Sequence, residues 1–320
     1  MDNLLRVENI KKHFKTSKGI LHAVDGVSFD IKKGETLGVV GESGCGKSTL
    51  GRTIIHLHEP SSGKIYFEDE DISDIKGRAL KEKRKDMQMI FQDPYSSLNP
   101  RMTVSEIIGE PLVIYRKFND KTEYTKKVKE IMDTVGLAER LYDSYPHELD
   151  GGRRQRIGIG RALVLNPKFI VCDEPVSALD VSIQAQILNL MQDLQDMMGL
   201  TYLFITHDMS VVKHISNDIL VMYLGVMIEK ANSKELFKHS LHPYTKALLA
   251  AVPVPVLGRE ITDIPLKGEI SSPINMKPGC RFAKRCTYAK EKCMTESPVV
   301  EEIMPEHFVA CHYVREINNL

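Results

Sequence analysis

The chain has 320 residues, 42% hydrophobic and 27% charged, and its 43 Lys+Arg balance 43 Asp+Glu to a formal net charge of zero. This composition is that of a soluble globular protein, long enough for one large domain and a smaller appendage, and the neutral balance leaves no electrostatic footprint for nucleic acid. The longest apolar run, Ala247 to Leu257, holds two prolines and is too short to span a bilayer. The opening Met-Asp-Asn-Leu-Leu-Arg-Val-Glu lacks the basic-then-apolar layout of a secretion signal, so a cytosolic chain is expected, one that meets a membrane only through a partner.

Strand-like runs come first, Leu5 to Ile10 and Val24 to Ile31. Phe14, 27 positions before Gly41, either stacks on a purine or simply ends a strand. Thr36 to Val40 suits a short buried strand. It feeds Gly41, Glu42, Ser43, Gly44, Cys45, Gly46, Lys47 and Ser48, which read G-x-x-x-x-G-K-[ST], the phosphate-binding loop. Leucines and isoleucines at helical spacing follow from Lys47 to His58, stopped by Pro60. Strand, glycine loop and helix form the context that this motif needs. Glycines let successive N–H groups turn inward around phosphate oxygens, and the helix start adds its positive dipole end. Lys47 is expected on the β and γ phosphates and Ser48 on Mg²⁺.

Lys64 to Phe67 is a further strand candidate. Lys76 to Lys85 reads as a solvated basic helix face. Met87 to Phe91 is another strand candidate, ending at Gln92, whose amide is placed to ligate Mg²⁺ and sense the γ-phosphate. From Val104 to about Leu165 the pattern is helical, with Glu123 to Val135 amphipathic and Gly136 a stop signal. Within it Leu149, Asp150, Gly151, Gly152 and Arg153 open a basic helix, for which Asp150 by itself is a good N-cap. Lys168 to Glu174 is a buried strand ending in two carboxylates. Asp173 is expected in the Mg²⁺ shell, and Glu174 to orient or deprotonate an attacking water. Ser177 to Asp180 leads into an amphipathic helix over Ile183 to Met198. Tyr202 to Thr206 is a buried strand with His207 at its end. Ile219 to Tyr223 and Val226 to Glu229 are the last two strands of the series. Strands alternating with helices imply an α/β fold with a mostly parallel sheet and ligands at the strand C-termini.

Taken together, Gly41 to Ser48, Gln92, Leu149 to Arg156, Asp173, Glu174, Asp180 and His207 resemble, in order and spacing, the ATPase subunits of ABC transporters over about residues 1–250. Phe91 to Pro100 and His242 to Leu249 look like the oligopeptide/dipeptide importer branch, and the wording of the phosphate loop resembles its F-type subunit. The resemblance implies a P-loop ABC ATPase domain with an N-terminal antiparallel β-subdomain and a helical subdomain over about 99–165. It implies ATP and Mg²⁺ as cofactors. Phe14 takes adenine stacking; Lys47, Ser48 and Thr49 take phosphate and Mg²⁺; Gln92 takes Mg²⁺ and coupling to the membrane subunits. Asp173 becomes the Mg²⁺-side carboxylate, Glu174 the catalytic base and His207 the γ-phosphate switch, with Asp180 also beside the nucleotide. The implied partners are a second, D-type ATPase subunit closing head to tail, two transmembrane permeases and an extracytoplasmic substrate-binding protein. No nucleic acid is implied. The implied location is peripheral, on the cytoplasmic face of the cell membrane.

The sequence departs from the family at its signature, which usually reads Leu-Ser-Gly-Gly-Gln. Asp150 replaces the serine that would donate to the partner-held γ-phosphate, and an ionised carboxylate there repels: two unit charges ~4 Å apart cost roughly 4 kcal/mol at an effective dielectric of about 20. Arg153 is placed to compensate. An asymmetric heterodimer with one weakened ATP site is the sharper expectation, a tolerated N-cap the plainer one.

Residues 251–279 carry Pro253, Pro255, Pro265, Pro273 and Pro278 and read as an extended linker. Beyond it Cys280, Cys286, Cys293 and Cys311 lie at C-x5-C-x6-C-x17-C, while Cys45 and Cys172 belong to the core motifs. Four cysteines in a cytosolic tail favour metal over disulfides. The absence of a C-x2-C knuckle weakens zinc, although His312 keeps a Cys3His zinc site open. The block from Gly279 to Tyr288 with Val309 to His312 resembles the peptide-importer tail, which implies a [4Fe–4S] cluster; reduced structural thiols are the third possibility. The expected function is ATP hydrolysis energising peptide import. Nickel and glutathione importers use closely similar subunits, and a non-transport ABC ATPase is the remote alternative. The interval from Gln92 to Leu149 is too short for the coiled coil of DNA-repair members.

Overall fold

Two long strands, β1 (Asn3–Thr16) and β2 (Gly19–Lys32), form an antiparallel hairpin that begins the molecule. The alternation of buried Leu5, Val7 and Ile10 against exposed neighbours explains their first halves. Beyond Ile10, past register shifts around Asn9, which sits at φ 47°, β1 runs on through mostly polar residues while still paired to Gly19–Asp25 of β2. The expected bounds, Leu5 to Ile10 and Val24 to Ile31, are therefore too short, because ladder bonds rather than apolar alternation carry the outer half of β1. The computed structural model describes residues 3–93, 95–118, 120–252 and 272–320. They divide into two units, Met1–Asp74 with Phe204–Leu320, and Ile75–Leu203.

In the first unit β3 (Thr36–Val40) is wholly buried and leads into α1 (Lys47–Ile54). This helix ends four residues before the expected His58. His56 turns left-handed at φ 57°, and the N–H groups of Leu57 and His58 both fold back to the Arg52 carbonyl. Next, β4 (Ser62–Phe67) pairs with β1, and the short β5 (Glu70–Asp71) pairs with β4, so the antiparallel sheet runs β2-β1-β4-β5.

The second unit opens with α2 (Gly77–Asp86), which buries none of its residues, as the dense lysine run predicts, and with β6 (Met87–Ile90). Three helices follow: α3 (Val104–Ile114), started by a Thr103/Glu106 capping box, α4 (Lys121–Thr134) and α5 (Gly151–Leu163). Buried β7 (Phe169–Asp173) lies parallel to β6. α6 (Val181–Met198) stops at Gly199, which takes the left-handed φ of 65° that a C-cap needs. The unit boundary falls inside β8 (Thr201–Ile205).

Back in the first unit come α7 (Met209–Ile215), β9 (Asp218–Tyr223), β10 (Val226–Asn232), α8 (Ser233–Lys238) and α9 (Pro243–Ala250). The tail adds α10 (Glu291–Thr295), β11 (Glu301–Met304), β12 (His307–Val309) and α11 (Val314–Asn318). β3 lies parallel to β9, and from β9 outward the pairing turns antiparallel in the order β9-β10-β12-β11. The sheet is thus mixed, because β10 returns antiparallel on β9 and the tail adds its own strands at the edge of β10. The core beside β9 gathers Val40, Val221, Tyr223, Ile228, Tyr244 and, from the tail, Phe282. Of the expected proline-rich linker, the part carrying Pro253, Pro255 and Pro265 lies outside the described residues. Among the described residues no helix is long and apolar enough to cross a membrane.

Candidate nucleotide site

The phosphate loop sits between β3 and α1, and its glycines are compulsory. Gly41 adopts φ 151°, and a Cβ there would meet the Met222 carbonyl oxygen at 2.2 Å; at Gly46, φ 105°, it would meet the Ala23 carbonyl oxygen at 2.0 Å. Backbone is thus packed against backbone on both sides of the loop. Lys47 is 4% exposed, and its Nζ donates to the carbonyl oxygens of Gly41 at 2.7 Å and Glu42 at 3.0 Å. The ammonium is held inside the loop that it must serve. Ser43 and Gly44 are exposed at its rim, and Ser48 and Thr49 are half-buried in the first turn of α1. Cys45 is buried, and burial pushes its thiol up despite the Lys47 ammonium beside it.

Phe14 lies far out along β1, half-buried, with its ring edge-on to His58 at 5.5 Å and the Lys12 ammonium 4.8 Å from its centroid. His207 follows β8 and is exposed; the N–H of the preceding Thr206 donates to the Val39 carbonyl, which ties that strand end to β3.

In the second unit, Asp173 ends β7 and is fully buried. Glu174 follows it at φ 48°, immediately before Pro175. A left-handed glutamate costs about 1 kcal/mol and persists where the surroundings over-determine it. Its carboxylate oxygen Oε2 accepts the Gln92 side-chain amide at 2.9 Å, so the segments just beyond the ends of β6 and β7 are brought together. Asp180 N-caps α6, accepting the Ile183 N–H at 3.1 Å. Asp150 N-caps α5, accepting the Arg153 N–H at 2.8 Å, and Arg153 reaches back to its other oxygen at 3.4 Å. The glycine pair behind it is tight, since a Cβ on Gly152 would meet Ile183 at 2.9 Å.

Residues 24–177 match the ABC transporter family, and residues 228–293 match the oligopeptide/dipeptide transporter C-terminal region. The chain is 51% identical to the oligopeptide transport ATP-binding protein AppF of Bacillus subtilis, over 97% of each chain. This chain belongs to the ABC transporter ATP-binding subunits. It is also 48% identical to the dipeptide transport ATP-binding protein DppF of Haemophilus influenzae, over 97% of each chain. Among solved ABC structures, cbiO1 from Clostridium perfringens, part of an ABC transporter complex, superposes with TM-score 0.67 at 31% identity, covering 75% of this chain and 92% of that one. A dimeric post-hydrolysis ATP-binding cassette bound to ADP and phosphate superposes at TM-score 0.65 with 30% identity, covering 72% and 98%. ABC membership makes the chain an ATPase that works with ATP and Mg²⁺.

Two residues that touch this ABC phosphate loop were not legible as such. Tyr244, in α9, accepts the Glu42 N–H on its phenol oxygen at 2.9 Å. Burial pushes that phenol up, so it stays neutral. Arg285, in the tail, forks onto the Glu42 carboxylate at 2.7 and 3.0 Å. Tyr244 stands within a stretch that marks the importer branch, but no spacing assigns it a role, and Arg285 is 243 positions from its partner.

Proposed function

We propose that this chain hydrolyses ATP to drive peptide import through membrane permeases, paired head to tail with a second ATPase subunit and fed by an extracytoplasmic binding protein. The observation that carries this reading is the presence in one chain of the phosphate loop and the oligopeptide/dipeptide C-terminal region, at about half identity to peptide-transport subunits along nearly their whole length. The chain then sits peripherally on the cytoplasmic face of the membrane, held by the permeases.

On the first unit, the loop amides of Gly41 to Ser48 and the Lys47 ammonium grip the β and γ phosphates, while Phe14 stacks on adenine. His207 reads the γ-phosphate. On the second unit, Glu174 holds and deprotonates water, and Gln92, bonded to it, couples that carboxylate to the membrane subunits. Buried Asp173 and the Gln92 amide oxygen are hard oxygen donors of the kind Mg²⁺ takes, as is the Ser48 hydroxyl. The ion neutralises the charge that develops on the phosphate oxygens. Closure on ATP and reopening after hydrolysis is a ligand-biased two-state change. In cells lacking the gene, restored uptake of a labelled peptide by the wild type and none by E174Q is the expected result. Uptake of nickel or glutathione without peptide would overturn the cargo.

We also infer that Cys280, Cys286, Cys293 and Cys311 hold a [4Fe–4S] cluster. All four are free thiols. Burial first, then the other three cysteines, raise Cys280 to about 11, and the remaining pairs also act on one another. The four therefore converge. Yet among the described residues no three of them bring their sulfurs within 4.8 Å of one another, whereas a tetrahedral zinc with Zn–S bonds of about 2.3 Å draws its ligand sulfurs to ~3.8 Å. Anaerobically purified protein should be brown and carry iron and sulfide; a colourless, iron-free protein rejects the cluster.

A further inference from the structure

The cysteine tail reaches the phosphate loop through two arginines, each next to a cysteine. Arg285 precedes Cys286, is buried with 8% of its side chain exposed, and makes a two-pronged ion pair with Glu42, whose side chain is 22% exposed. It also lies over the Tyr223 ring, 5.8 Å from the centroid. Arg281 follows Cys280 and donates to the Leu224 carbonyl and to Asp25. The next residue, Gly225, donates its N–H to the Cys45 carbonyl of the loop at 2.8 Å. Phe282, between the two arginines, packs edge-on against Tyr223 at 5.3 Å, and Tyr223 in turn against Tyr244 at 4.8 Å. The tail thus presents both guanidinium groups from an aromatic seat beneath the loop.

Glu42 is the point where these contacts meet the chemistry. Its N–H is held by Tyr244, its carboxylate by Arg285, and its carbonyl receives the Lys47 ammonium. We propose that Arg285 is a positioning residue for the nucleotide site: it fixes Glu42, and through Glu42 the Lys47 ammonium, and it cancels a carboxylate that would otherwise repel the nucleotide phosphates. Two physical effects act in the same direction. A forked guanidinium–carboxylate pair fixes orientation in a way that a point charge does not. Removing one partner from a largely buried pair leaves the other charge uncompensated, which costs more than removing both. A purely structural arginine would lower the unfolding temperature of R285Q and restore it in the double variant while leaving the nucleotide affinity of the folded protein unchanged.

The inference rests on the loop binding ATP, and the assay separates the two claims. The full chain is titrated with a fluorescent ATP analogue and Mg²⁺, with thermal unfolding run alongside. Wild type must bind; if it does not, the ATP reading itself fails. R285Q should weaken binding about tenfold, which is about 1.4 kcal/mol, with a smaller change in turnover at saturating ATP. R285Q combined with E42Q should recover to within about threefold of wild type, because no unpaired carboxylate remains. Folded R285Q that binds as tightly as wild type, or a double variant as weak as R285Q, overturns the proposal. Should R285Q fail to fold, R285K, which keeps the charge and loses the fork, should weaken binding about threefold; binding equal to wild type then overturns it.

Discussion

Asp150 shows how one side chain serves two masters. As an N-cap it is orthodox: its carboxylate takes the Arg153 N–H and lies at the positive end of α5. In the proposed function it is the second residue of the signature, where it brings a negative charge in place of the family's usual hydroxyl donor. Serine also caps helices well, so Asp150→Ser should leave stability within about 0.5 kcal/mol. In the assembled transporter the same change should tighten nucleotide at the partner's site and raise ATP turnover, as a repulsive contact becomes a donating one. Steady-state ATPase rates and nucleotide titrations of the complex decide this, and identical values for both proteins would remove the weakened-site reading. Glu174 stands in contrast. Its left-handed backbone and its bond to Gln92 are features that only coordinates reveal, while its place after a buried apolar strand was plain from Lys168 to Glu174.

Helix α9 carries a pH-dependent cap. His242 is fully buried and accepts the Tyr244 N–H on Nδ1 at 3.1 Å, so its cap needs the neutral ring. Burial lowers its pKa from 6.5 to about 4, although Glu229 nearby pulls the other way. The unfolded chain therefore binds a proton that the folded chain refuses between about pH 6.5 and 4. Stability is fully present above the unfolded value and is lost as pH falls through that window; the loss between pH 7 and pH 5 is about 2 kcal/mol. Urea unfolding at the two pH values should show it. His242→Asn, which keeps a cap acceptor but has no ring to titrate, should flatten it. The loss matters for the site because α9 delivers Tyr244 to the Glu42 N–H. Elements of this kind divide sharply in how readable they are. The strand–loop–helix around Gly41 to Ser48 follows from spacing alone, as does the body of α6, from its apolar period over Ile183 to Met198. The outer half of β1 does not, because Lys11, Lys12, Lys15 and Thr16 give no alternation, and its ladder with β2 carries it.

For the molecule as a whole, the cysteine tail is part of the nucleotide-binding unit and not an ornament attached to it. β12 pairs with β10, Phe282 enters the core beneath the loop, and His307 meets the fully buried Glu229 at 2.7 Å. Glu229 also accepts the N–H groups of Leu241 and His242, so one carboxylate joins the tail, β10 and the start of α9. None of this was legible beforehand. Periodicity and motif spacing report local structure, whereas Glu229 and His307 are 78 positions apart, and Glu42 and Tyr244 are 202. Motif spacing names candidate residues for the nucleotide; only packing names those that stand behind them.

The separation of 243 positions between Glu42 and Arg285 has a consequence during synthesis. At about 5–20 residues per second, the ribosome releases the arginine roughly 10–50 s after the glutamate. A nascent or prematurely terminated polypeptide that stops short of Arg285 therefore carries the loop glycines without the guanidinium that pairs Glu42, and under the proposed positioning role it should hold ATP less tightly than the finished chain.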